Sequence, residues 1–195
     1  MRLFLALDIP AAIRDRISRF IEGVTGFAPE ARWMDPKSLH ITLKFIGEQP
    51  DSALDQIKQS LSQIHAETTE INFRNYGFFP TAKSPRVFWI GVESGPQLAA
   101  LAASIDDTLS SLGIERELRP YSPHLTLARV PGASGSPRRI KSDAPTRIFH
   151  HLQEKLAARP TPEFGTMTPR EFFLYQSRVS PKGSKYTKLA AFDLK

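Results

Sequence analysis

One tetrapeptide occurs twice in this chain of 195 residues, and it limits the fold more than any other feature. His40-Ile41-Thr42-Leu43 returns as His124-Leu125-Thr126-Leu127, an offset of 84 residues (124 − 40). Each copy follows a proline-bearing approach, Asp35-Pro36-Lys37-Ser38-Leu39 before the first and Arg119-Pro120-Tyr121-Ser122-Pro123 before the second. Each lies in a stretch that alternates apolar and polar residues, the period of a strand. An offset near half the chain length predicts two related lobes, each contributing one such strand.

The remaining segments fit that plan. Residues 2–8 read as a strand apolar enough to be buried on both faces. Pro10 opens a helix where its missing N–H costs nothing, with Ile13, Ile17, Phe20, Ile21 and Val24 at helical spacing. Residues 39–46 form the first motif strand, and Phe45 shares a face with Ile41 and Leu43, which predicts a core position. Asp51 caps a second helix carrying Leu54, Ile57, Leu61 and Ile64. Two strands follow near 70–78 and 86–93, then a helix over 97–112 closed by Gly113. The stretch IEREL (114–118) reads as a short strand, and 124–130 as the second motif strand. A Gly-, Pro- and Ser-rich loop over 131–145 carries Arg138, Arg139 and Lys141. A helix over about 146–158 and two strands, EFFLYQS and KLAAFDL around a polar turn SPKGSKY, complete the chain. Strands and helices mix without a strict βαβα rhythm. The expected class is α+β, with largely antiparallel sheets backed by helices.

On a strand, residues two apart share a face, about 6.6 Å apart along it. His40 therefore stands beside Thr42, and His124 beside Thr126, while Ile41, Leu43, Leu125 and Leu127 point to a core. Two such strands brought together about a pseudo-twofold axis make a cleft with two imidazoles and two hydroxyls. In-line cleavage of a P–O bond needs a base on the attacking side and an acid at the leaving oxygen. Two histidines supply both near neutral pH. The threonine hydroxyls can donate to the non-bridging phosphate oxygens. A single His-x-Thr on a strand is commonplace, but two copies behind matching turns are a much more specific signal. His65, His150 and His151 read as surface or partly packed histidines.

Composition narrows the chemistry. The chain has no cysteine, which excludes disulfides, thiolate metal sites and a cysteine nucleophile. No His-Glu-x-x-His occurs and no carboxylate stands near either motif in sequence, so a zinc site is not expected and no cofactor is called for. Lys plus Arg number 26 against 20 acids, a net charge of +6 that favours an anionic partner. The opening run MRLFLALDIP is about half the length that a secretory core or membrane span needs. A soluble, cytoplasmic protein that does not meet a membrane is expected.

The sequence resembles the 2H phosphoesterases, named for two His-x-Thr motifs, and within them the bacterial and archaeal RNA 2′,3′-cyclic phosphodiesterases, historically called 2′-5′ RNA ligases. The resemblance covers nearly the whole chain: RLFLALDIP, Trp33-Met34-Asp35-Pro36 with LHITLKFIG, PRVFWIG at 85–91, SPHLTLAR at 122–129 and LYQSRVSPKGSKYTKLAAF at 174–192. It implies one bilobal domain over residues 1–195, two antiparallel sheets backed by helices and related by a pseudo-twofold axis across a central cleft. It implies metal-independent hydrolysis of a 2′,3′-cyclic phosphate at an RNA or nucleotide end to a 2′-phosphomonoester. His40 and His124 would be the catalytic pair, His124 as base and His40 as acid at O3′, with Thr42 and Thr126 binding phosphate.

Other positions follow less directly. Arg129 resembles a nucleotide contact of this group, yet a regular strand would turn it away from His124; it reaches the cleft only if the strand ends or bulges. Arg119 and Tyr121 are placed to line the cleft. Phe45 is a stacking platform if it is not core. Ser177 and Tyr186 sit in the C-terminal turn of the family. Arg138, Arg139 and Lys141 are candidate contacts to the backbone of a longer RNA. Two other activities share these features: joining RNA ends through a 2′-5′ linkage, and RNA binding without turnover. A monomer is expected.

Overall fold

Leu3, Leu5 and Leu7 of the first strand are all essentially inaccessible to solvent, and around them the computed structural model builds the first of two sheets. It describes residues 1–132, 147–180 and 183–195. In chain order the elements are β1 (Arg2–Asp8), α1 (Ala11–Val24), β2 (Arg32–Trp33), β3 (His40–Glu48), α2 (Leu54–Leu61), β4 (Ile71–Pro80), β5 (Pro85–Ser94), α3 (Pro96–Ser110), β6 (His124–Arg129), α4 (His150–Ala157), β7 (Glu163–Met167), β8 (Glu171–Ser180) and β9 (Gly183–Asp193). Among the described residues no helix is long and apolar enough to cross a membrane.

The first sheet has the order β3-β1-β8-β9 and the second β2-β6-β5-β4-β7, with every pairing antiparallel. This is the expected α+β arrangement. Each motif strand lies beside a central strand of its own sheet: β3 beside β1, and β6 beside β5. The helices cross over between lobes. α1 leaves β1 of the first sheet and packs near β7 of the second, whereas α3 leaves β5 and packs against β3. Ile13, Ile17, Ile21 and Val24 form the buried stripe of α1, and Leu98, Leu101, Ile105 and Leu109 that of α3. One hydrophobic core joins these stripes to the inner faces of both sheets.

Several sequence expectations change. Residues 114–118 are not a strand. Their backbone is held by side chains instead: the buried Lys44 ammonium donates to the Glu115 carbonyl at 2.9 Å, and the Glu117 N–H donates to Asp106 at 3.0 Å. These bonds take up backbone groups that a ladder would otherwise pair. Lys44 also pairs with Asp106, whose carboxyl burial pushes up but whose bonds to Lys44 and Glu117 hold below the usual range. Asp51 does not cap α2; it begins a short 3-10 turn over Asp51–Ala53, and the helix starts at Leu54. The short β2 and β7 carry too few residues to show a period, and sequence reading missed both. The C-terminal hairpin is longer than expected, so Ser177 and Tyr186 are paired strand residues, not turn residues. Arg138, Arg139 and Lys141 lie outside the described residues.

Candidate active site

Each motif strand contains a bulge at the same place. In β3, Ala6 faces Thr42 while Leu5 faces Lys44, so Leu43 is an extra residue. In β6, Trp89 faces Thr126 while Phe88 faces Ala128, so Leu127 is extra. Leu43 and Lys44 both turn inward, as do Leu127 and Ala128, and all four are buried. The alternation is reversed beyond the bulge. Phe45 and Arg129 therefore join the histidine–threonine faces. Phe45 is 47 % exposed, which corrects its expected core position. Arg129 meets the condition that the sequence set for reaching the cleft.

The two histidines are held alike. His40 Nδ1 lies 2.8 Å from the Ser38 carbonyl and His124 Nδ1 lies 2.9 Å from the Ser122 carbonyl. A carbonyl oxygen only accepts, so each Nδ1 carries a proton and in the neutral ring each Nε2 is the nitrogen able to accept one. Before the first motif Ser38 closes a 3-10 turn over Pro36–Ser38, and before the second Ser122 stands between Pro120 and Pro123. Thr42 and Thr126 are half-buried on the same faces. β3 and β6 lie against each other, and Tyr121 ties them by donating its hydroxyl to the Thr42 carbonyl at 3.1 Å. Tyr121 is thus a brace between lobes, and burial pushes its phenol well above the ordinary value. Arg119 is exposed, 3.5 Å from Glu117, and takes no part in that brace.

The walls differ. Around His40 stand Phe4 at 4.9 Å between ring centroids and Tyr186, edge-on, at 5.2 Å. Asp8 faces His40 across the β1–β3 ladder. Its carboxylate accepts from the Tyr175 hydroxyl and, at 2.8 Å, from Lys188. Around His124 stand Phe79 at 4.9 Å and Trp89 at 6.4 Å. Gly91 faces His124 where Asp8 faces His40. A Cβ there would collide with the Arg74 carbonyl oxygen, so no carboxylate can stand at this position. Gly77 makes space for the Trp89 ring, which fills the place where a Cβ would stand.

Burial pulls both imidazoles below the usual histidine value. Their carbonyl bonds oppose the effect, and the Arg129 charge adds to it at both rings. His40 alone feels Asp8, which favours its protonated form. His40 also feels His124, as converging groups must. An anion seated between these rings would favour protonation and reverse part of the depression. Among the described residues no cluster of three or more His, Asp or Glu side chains is arranged to hold a metal ion.

Of the residues singled out from the sequence, the structure places His40 and Thr42 on β3 and His124, Thr126 and Arg129 on the neighbouring β6. Sequence reasoning did not single out Asp8, Tyr175, Lys188, Phe79 or Trp89. Asp8 had one available signal: it ends a strand at even spacing from Phe4 and Ala6, the face that meets the first motif. The others depend on strand pairings that one sequence does not display.

The family model described as LigT like Phosphoesterase matches this chain twice, over residues 7–89 and 90–186, one match for each motif. An RNA 2′,3′-cyclic phosphodiesterase of Archaeoglobus fulgidus is 33 % identical over 193 residues, covering 99 % of this chain and 100 % of its own. One of the same name from Methanothermobacter thermautotrophicus is 31 % identical over 196 residues, covering 100 % and 99 %. Among solved structures, Escherichia coli LigT complexed with 3′-AMP superposes with a TM-score of 0.77 at 27 % identity, covering 99 % of this chain and 97 % of that one. A protein of Thermus thermophilus gives 0.76 at 27 % identity, covering 100 % and 98 %.

Proposed function

The chain belongs to the LigT-like phosphoesterases, and from that premise we propose that it hydrolyses the 2′,3′-cyclic phosphate at an RNA or nucleotide end to a 2′-phosphomonoester. The observation that carries this reading is the matched pair of imidazoles, each with Nδ1 fixed and Nε2 free beside a threonine. Relatives over the full length bear the name of that activity, which supports the substrate class.

The steps balance without further groups. His124 Nε2 takes a proton from water as its oxygen attacks phosphorus. The P–O3′ bond breaks, and His40 Nε2 gives its proton to O3′. Thr42, Thr126 and the Arg129 guanidinium hold the non-bridging oxygens where negative charge builds. The order of roles is supported by Asp8: a carboxylate beside His40 favours the protonated acid, and Gly91 leaves His124 without one. The two rings are coupled, so pH profiles report the pair. The reaction uses no metal or cofactor in this reading. The protein works as one bilobal domain and a monomer, and its partner is an RNA or nucleotide with a cyclic phosphate end.

Phosphorus NMR of 2′,3′-cyclic AMP turnover in excess EDTA tests the proposal. The expected product is the 2′-phosphate, with the rate unchanged by chelator. His40→Ala and His124→Ala should each lower kcat by about 10²–10⁴ with the fold intact by circular dichroism. A 3′-phosphate product, or full activity in either variant, refutes the mechanism. A requirement for a second RNA strand with a free 5′-hydroxyl would identify ligation instead.

A further inference from the structure

A cavity of about 340 Å³ opens beside His40. His40, Phe4, Tyr186, Arg14, Lys37 and Lys185 are among its lining residues, but His124, Thr42 and Thr126 are not. It is therefore a compartment on one side of the phosphate site. In-line displacement puts the attacking water and the leaving oxygen on opposite sides of phosphorus. With His40 as the acid, the ribose that bears O3′, and the chain on its 5′ side, lie toward this cavity.

Its charges are unevenly committed. Two carboxylates line it. Asp8 already accepts from Tyr175 and Lys188, and Asp35 accepts the Lys37 backbone N–H at 2.9 Å. Arg14, Lys37 and Lys185 have no ion-pair partner among the described residues. Arg14 donates one Nη to the Ile9 carbonyl at 2.9 Å, and its Nε is buried with no partner. The aromatic wall is formed by Phe4 and the half-buried Tyr175 and Tyr186. Phe4 is only 3 % exposed and has no free face on which a base could stack. The three cations without an ion-pair partner among the described residues favour an anionic occupant.

We propose that this cavity receives the 5′-phosphate of the terminal nucleotide, the group that in an RNA chain is the next phosphodiester, and so makes oligonucleotide ends better substrates than bare nucleosides. The inference rests on the hydrolase reading above and names its substrate class more closely. Lys37 and Lys185 supply charge-assisted bonds to the phosphate, and Arg14 supplies a fixed positive background.

The test compares two substrates, adenosine 2′,3′-cyclic phosphate and the same compound with a 5′-phosphate. For the unmodified protein, kcat/KM should be about tenfold higher with the 5′-phosphate, an advantage that salt erodes. In the Lys37→Ala/Lys185→Ala double variant the ratio of the two kcat/KM values should fall close to one. A ratio cancels any general loss caused by the substitutions. No advantage in the unmodified protein, or an advantage that survives in the double variant, overturns the subsite while leaving the hydrolase reading in place. Failure of both substrates to turn over overturns both.

Discussion

Lobe one and lobe two hold a histidine in the same way and surround it differently. Ser38 and Ser122 present equivalent carbonyls, Thr42 and Thr126 equivalent hydroxyls, and the bulges bring Phe45 and Arg129 to equivalent positions. Across the ladder the likeness stops. Asp8 stands opposite His40 and Gly91 opposite His124, and the Arg74 carbonyl bars a side chain from Gly91. What the two lobes share leaves both imidazoles with Nδ1 held by a carbonyl, so the proposed mechanism could use either one to move a proton. Where they differ, Asp8 favours the protonated form of His40 and has no counterpart at His124, which is the basis of the proposed division into acid and base. A duplicated motif thus provides the parts, and the strand next to it assigns the work.

The sharpest way to break this comparison is at the equivalent pair beyond the bulges. Arg129→Ala removes the guanidinium whose charge both histidines feel and should cut kcat by about 10²–10³, as for loss of a donor to a developing oxyanion. Phe45→Ala should act mainly on KM, by about tenfold, as expected for a lost stacking surface. Steady-state kinetics on one cyclic nucleotide separates the two, and equal effects would mean that the lobes do not divide these roles.

Asp8→Asn addresses the asymmetry itself. Asp8 raises the His40 pKa against burial, so its removal lowers that pKa further. The acid then loses its proton at lower pH, and the alkaline limb of the kcat/KM profile moves down. The acidic limb, set by His124, should stay. Movement of the acidic limb alone would exchange the two assignments. Because a bound phosphate favours protonation, the alkaline limb of kcat should lie above that of kcat/KM in the unmodified protein.

Much of the fold and of the site is legible in the residues themselves. The alternation around His40 and His124 marks both motif strands, and the apolar stripes of α1 and α3 match their helices. What fails has local causes. A period of two assumes an unbroken ladder, and Leu43 breaks it, so Phe45 reads as core. Residues 114–118 alternate like a strand but are satisfied by Lys44 and Asp106, partners outside that stretch. Asp8 sits beside a histidine 32 positions later (40 − 8), a proximity that its place on the first strand hints at and the β1–β3 register fixes.

The smallest effect expected concerns the brace between the lobes. Tyr121→Phe keeps the ring and deletes one hydrogen bond to the Thr42 carbonyl. That should cost about 1 kcal/mol of stability, a fall of about 2–4 °C in Tm for a chain of this size. Thermal unfolding measures it, and a large loss of activity without loss of Tm would show instead that the hydroxyl meets substrate.

The bulges also explain the fourth letter of the repeated tetrapeptide. Leu43 and Leu127 are buried in the core, yet they recur with the histidines and threonines. Each is the supernumerary residue of its strand, and its inward neighbour follows at once. The side chains that face the cleft therefore keep an unequal cadence, two steps from histidine to threonine and three to the next. Read in that cadence, the repeated signature runs to six residues rather than three. Its leucine marks the beat at which the strand changes step.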